Sequence, residues 1–150
     1  VPLTLQNMFV FIAALVLGKR GWVPVLVYLA AGLAGVPVFA YGGGIGYILH
    51  PTFGYLLGFL VAALLIGFLR VNKHYCFVNG LVCVAGVLAI YAIGIPYLYV
   101  IKTMYLNTTV ELNALLKNAM LVFLPGDIVK AGIAVFVAYM LRKHGVVYED

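Results

Sequence analysis

Charge is scarce in this sequence. Of 150 residues, 9 are Lys or Arg and 4 are Asp or Glu, so only 9% are charged, where soluble domains carry about a quarter. With 66% apolar residues and a mean hydropathy of +1.17, an ordinary soluble domain is excluded. Cysteine is nearly absent too. Cys76 and Cys83 lie in one apolar segment, roughly 10 Å apart along a helix axis, too far for a disulfide. The two read as packing residues. His50, His74 and His144 are widely separated and no Cys/His spacing fits a metal site. No Lys-Ser/Thr follows the glycine cluster at 42–44, which makes a phosphate cradle a poor reading of it. No nucleophile–base pair marks an intramembrane enzyme. The formal charge of +5 sits in short loops rather than on a stripe, which argues for a membrane and against nucleic acid.

What is present is a set of long apolar runs. Residues 1–18, 21–36, 53–69, about 75–94 and about 125–141 each approach the roughly 17–20 residues that cross hydrocarbon. They predict an all-α integral membrane protein, a compact bundle of about five visible transmembrane helices in a single domain over 1–150. Lys19 and Arg20, Arg70 and Lys73, and Arg142 and Lys143 occupy alternate loops, whereas the other side holds Lys102 and Lys117. The Lys/Arg-rich side is the cytoplasmic one. The C-terminus then faces the cytoplasm, and residue 1, the 37–52 loop, the 95–124 connection and the start of the last helix face outward. Because the chain begins with Val in mid-pattern on the outer side, a further upstream span is expected, six in all. A cleaved signal sequence is the alternative.

The last run holds a carboxylate and an ammonium, Asp127 and Lys130, in Leu124-Pro125-Gly126-Asp127-Ile128-Val129-Lys130. Ionisable groups in hydrocarbon cost roughly 2.5–3.5 kcal/mol each and face a partner or a cavity. In a helix starting at Pro125 the two share one face, a strong acceptor and a strong donor for a small polar-headed ligand. The structural alternatives are an N-cap for Asp127 and a snorkelling side chain for Lys130. The loop Pro37–Tyr47 mixes glycines with aromatics. It reads either as a close-approach surface for a ligand or as a plain turn. Thr108-Thr109-Val110-Glu111 has capping-box spacing. Leu112, Leu115, Leu116, Ala119, Met120 and Phe123 then recur on one face. They predict a short amphipathic external helix, an interfacial anchor or a lid. Four-residue spacings at Gly54/Gly58 and Ala30/Ala34 favour close helix contacts.

These residues resemble one family, BioY, the biotin-specific substrate-binding (S) component of energy-coupling-factor (ECF) transporters. The resemblance is carried by Val1–Gln6, by Gly35–Ala40 leading into the glycine cluster, by Pro51–Phe59 and by Leu124–Ala131, in family order along nearly the whole chain. It implies a six-helix protein of the prokaryotic plasma membrane that captures biotin from outside for uptake. It implies no enzymatic activity, no cofactor, and a coupling subunit with two cytoplasmic ABC ATPases as partners. Asp127 and Lys130 inherit the ligand-binding pair, and Gln6, Phe39, Gly43, Gly44, Thr52 and Tyr55 match motif positions near the pocket mouth. The family's first helix, which carries small residues for docking on the coupling subunit, has no counterpart here. A component for another vitamin or small metabolite is the rival reading.

Overall fold

The computed structural model describes residues 6–39, 42–70, 75–107, 109 and 111–144. Expectations for residues 1–5, Ala40, Tyr41, Lys73, Thr108 and Val110, and for the side chains of Cys76, Ala119 and Met120, lie outside the described residues. Six α-helices are named in chain order: α1 (Gln6–Leu17), α2 (Trp22–Leu33), α3 (Phe53–Leu69), α4 (Tyr75–Val100), α5 (Leu112–Leu116) and α6 (Leu124–Lys143). Among the described residues there is no β-strand, only one isolated bridge between Phe39 and Gly42. In lipid the backbone N–H and C=O groups have to be satisfied internally, by helices or by a closed barrel, and continuous apolar runs rather than alternating ones suit the helices seen here.

Span lengths are uneven. The stretches Phe77–Tyr105 and Leu124–Lys143 are long and apolar enough to cross a membrane, and α3 is a shorter apolar helix of 17 residues. The first two expected spans form a pair bent by 117° at Gly21, in which α2 is only 12 residues long. The largest departure is in α4. Gly94-Ile95-Pro96 reads as a terminator, but the helix runs through Pro96 to Val100 and continues as a π-helical turn, Ile101–Tyr105. Intramembrane helices tolerate proline because neighbours re-satisfy the freed carbonyl. The connection between α4 and α6 is therefore shorter than the predicted 95–124. The amphipathic helix it carries is also short: α5 spans five residues and gives way to a π turn, Lys117–Leu121. Leu115 is buried and Leu112 exposed.

Four contacts establish direction. Asn7 of α1 meets Asp127 of α6, both in the first turns of their helices. Tyr55, near the start of α3, packs edge-on against Tyr91 of α4. At the far end Gly67 of α3 rests on the Gly18 carbonyl, and the Arg70 guanidinium donates to the Leu15 carbonyl at 2.7 Å. Helices α1, α3 and α6 thus run parallel, α4 runs against them, and Lys19, Arg20, Arg70, Arg142 and Lys143 gather at one end.

The tightest seam joins α3 to α4. A Cβ on Gly58 would lie 2.9 Å from the Ile90 Cα, and one on Gly54 would lie 3.2 Å from the Gly94 Cα. Gly54 and Gly58 thus behave as their spacing predicts, whereas Ala30 and Ala34 are exposed. Because the clash at Gly58 is with backbone, Gly58→Ala is expected to cost about 1–3 kcal/mol in overpacking, more than the ~1 kcal/mol of helix propensity it gains. In detergent it should melt below wild type. Gly132→Ala, where an added Cβ meets nothing within 4 Å, should melt at or above wild type. Equal melting of the two variants would contradict the seam.

Candidate functional site

Helix α6 begins with Pro125 in its first turn, carries Asp127 there, and ends on Arg142 and Lys143, a charge order that suits its macrodipole. Its buried stripe is Asp127, Lys130, Ala131, Ala134, Val135 and Ala138. Ile128, Val129, Ile133 and Phe136 are exposed as a lipid-facing side would be. The inner stripe therefore opens on the two ionisable residues.

Neither structural alternative for them holds. The Asp127 amide already donates to the Phe123 carbonyl at 2.9 Å, and the helix is capped at Phe123 without a side-chain bond. Asp127 is inside the helix with its carboxylate turned into the bundle. Lys130 is only 9% exposed, which excludes a snorkelling head.

Three donors converge on that carboxylate. Asn7 Nδ2 donates to Oδ1 at 2.7 Å, the Tyr91 hydroxyl donates to Oδ2, and Lys130 Nζ lies 3.4 Å from Oδ1. The Met8 amide donates to Asn7 Oδ1 at 3.0 Å, which turns the Asn7 NH₂ toward Asp127. A carboxylate receiving several hydrogen bonds and one countercharge is stable in a medium where a bare one is not. Beside it, the Tyr55 hydroxyl is buried and has no hydrogen-bond partner among the described residues. Buried hydroxyls without a partner are rare, and this one belongs to a predicted site residue. Asp127, Lys130, Tyr55, Asn7 and Tyr91, from four helices, thus form one polar cluster inside an apolar bundle. It offers acceptor, cationic donor and hydroxyl at one depth.

The remaining predicted residues lie around it. Gln6 and Phe39 line an apolar cavity of about 480 Å³ with Val10, Val25, Tyr28 and Phe59. Phe39 is buried over Gly32. Its ring meets Tyr28 edge-on at 5.4 Å and Tyr47 at 4.6 Å. Gly43 and Gly44 hold the loop to the end of α2. The Gly44 amide donates to the Gly32 carbonyl at 2.6 Å, and a Cβ on Gly43 would strike the Val36 carbonyl. Gly44 has φ +100°, a conformation open chiefly to glycine. These two glycines set where Phe39 and Tyr47 stand. Thr52 belongs to a second cavity, a vestibule of about 720 Å³ lined by Tyr47, His50, Leu98, Lys102 and Tyr105 among others. There Thr52 Oγ1 bridges the Tyr47 hydroxyl, at 3.1 Å, and His50 Nδ1, at 2.8 Å. The Thr52 amide also donates to His50 Nδ1, at 3.2 Å, so that nitrogen accepts. Burial lowers the His50 pKa, in keeping with a neutral ring. Neither cavity is lined by Asp127 or Lys130.

Sequence reasoning missed Asn7 and Tyr91 as site residues. Asn7 carried a faint signal, an amide next to Gln6 at the head of an apolar run. Tyr91 carried none, being one of 11 tyrosines.

Comparison with known proteins follows the same lines. The sequence profile of the BioY family matches residues 1–145. A probable biotin transporter BioY of Lysinibacillus sphaericus is 50% identical over 114 residues, covering 71% of this chain and 56% of that protein. One of Pyrococcus horikoshii is 41% identical over 144 residues, 95% of this chain and 81% of that protein. The biotin transporter BioY of Thermotoga maritima is 36% identical over 148 residues, with 95% and 82% covered. Among solved structures, the S-component for biotin from an ECF-type ABC transporter superposes with a TM-score of 0.81 at 32% identity, over 95% of this chain and 76% of that one.

Proposed function

The chain belongs to the BioY family, and from that premise we propose that it captures biotin as the membrane-embedded binding component of an ECF-type importer. The observation that carries this reading is the buried cluster around Asp127. Biotin's ureido ring presents two N–H donors and a carbonyl, and its tail ends in a carboxylate. Ureido N–H groups replace one or more of the donors now on Asp127, and Lys130 Nζ and the Tyr55 hydroxyl supply donors for the carbonyl. Charge-assisted bonds of this kind contribute about 1.5–3 kcal/mol each. Gln6, Phe39, Gly43, Gly44 and Thr52 act around the mouth, the glycines through the aromatics they position. ATP hydrolysis falls to separate subunits, a coupling protein and a pair of ATPases, since this chain carries no nucleotide-binding motif.

Detergent-purified protein warmed with a panel of vitamins tests the assignment, because a ligand bound only by the folded state raises the melting temperature. Biotin should raise it and the others should not. A shift with another vitamin and none with biotin would transfer the site to that ligand.

Orientation belongs to the same reading: the basic end is cytoplasmic and the glycine loop external. In a cysteine-free background, Gly46→Cys should react with an impermeant thiol reagent from outside, and Lys19→Cys should not. Both positions are exposed, so the reverse pattern would invert the topology.

A further inference from the structure

The vestibule holds a cation that the Asp127 cluster does not use. Along α4 the residues Tyr91, Ile95 and Leu98 are buried at spacings of four and three, one inward-facing stripe. Lys102 is the next position on it, four residues beyond Leu98, and it lines the vestibule. It sits in the π turn Ile101–Tyr105, six residues past Pro96. Such turns shift helical register and recur at functional sites. Among the described residues no carboxylate lies within ion-pair distance of Lys102: Asp127 is paired with Lys130, and Glu111 is exposed on the connection.

Vestibule and cluster are stacked along the same two helices. At the N-terminus of α3 the capping residue Thr52 lines the vestibule, and Tyr55, about one turn on, reaches Tyr91. On α4, Leu98 lines the vestibule and Tyr91 holds Asp127. The seven residues between them amount to roughly 10 Å of rise, the order of a bicyclic ring with an extended valeryl chain.

Resting on the biotin reading, we infer that Lys102 is the docking group for the ligand's tail carboxylate. Asp127, Lys130 and Tyr55 are left to the ureido ring. The chemical class selected at the mouth is a monocarboxylate on a flexible apolar chain. Lys102 thereby discriminates acids from their neutral derivatives.

Calorimetric titration of biotin and of biotinamide, whose tail is uncharged, into the purified full chain tests this. Wild type should bind biotin about tenfold or more tightly than biotinamide. Lys102→Met should weaken biotin by about that factor and leave biotinamide unchanged, so that the preference disappears, while Lys102→Arg retains it. Lys102→Met that keeps the full preference, or that weakens both ligands equally, would overturn the assignment. Wild type that binds neither compound would overturn the biotin reading instead. Asp127→Asn should weaken both compounds alike, which separates the two ends of the site.

Discussion

Asp127→Asn is expected to lower biotin affinity about ten- to a hundredfold, roughly 1.5–3 kcal/mol, in calorimetry on the purified variant. The change keeps size and shape but replaces an acceptor-only group with one that is half donor. Asn7 Nδ2 and the Tyr91 hydroxyl both donate to the carboxylate. An amide accepts from one of them and turns its own NH₂ toward the other, so a ureido N–H finds a poorer partner. Lys130 also loses its countercharge. The variant should insert and fold, since the substitution makes the span less polar. Wild-type affinity in this variant would remove Asp127 from the site.

Lys130→Met should harm both binding and stability. It keeps most of the side-chain volume and removes the ammonium. Asp127, only 8% exposed, is then left with two neutral donors and no opposite charge. Breaking a buried pair from one side costs about 3–5 kcal/mol. The 3.4 Å separation and the remaining bonds from Asn7 and Tyr91 place this one at or below the lower end. Adding Asp127→Asn should recover much of the melting temperature, because the uncompensated charge is gone, without recovering biotin binding. A Lys130→Met protein as stable as wild type, or a double variant less stable than Lys130→Met alone, would contradict the electrostatic account.

The pair at the centre of these predictions was legible in the sequence for a physical reason. Two ionisable residues three apart in an apolar run share a helix face, and hydrocarbon admits them only toward a partner. The gathering of Lys19, Arg20, Arg70, Arg142 and Lys143 at one end was legible too, from their alternation between loops. The partners were not. Asn7 and Tyr91 reach Asp127 across 120 and 36 residues of chain, and a contact between helices leaves no periodic trace in either one. The extent of α4 was not legible, because Gly94-Ile95-Pro96 is a terminator by local rules, whereas packing among membrane helices tolerates the proline. The glycine loop illustrates a third case. Clustered glycines announced close backbone approach, and the approach is to the end of α2 and the Val36 carbonyl.

A structure determined with biotin bound tests the central claim most directly. The account predicts a ureido nitrogen about 2.7–3.2 Å from an Asp127 carboxylate oxygen, with the Asn7 or Tyr91 donor displaced from it. Biotin's ring seated in the cavity of Gln6 and Phe39, with the Asn7–Asp127–Tyr91 bonds intact, would contradict it.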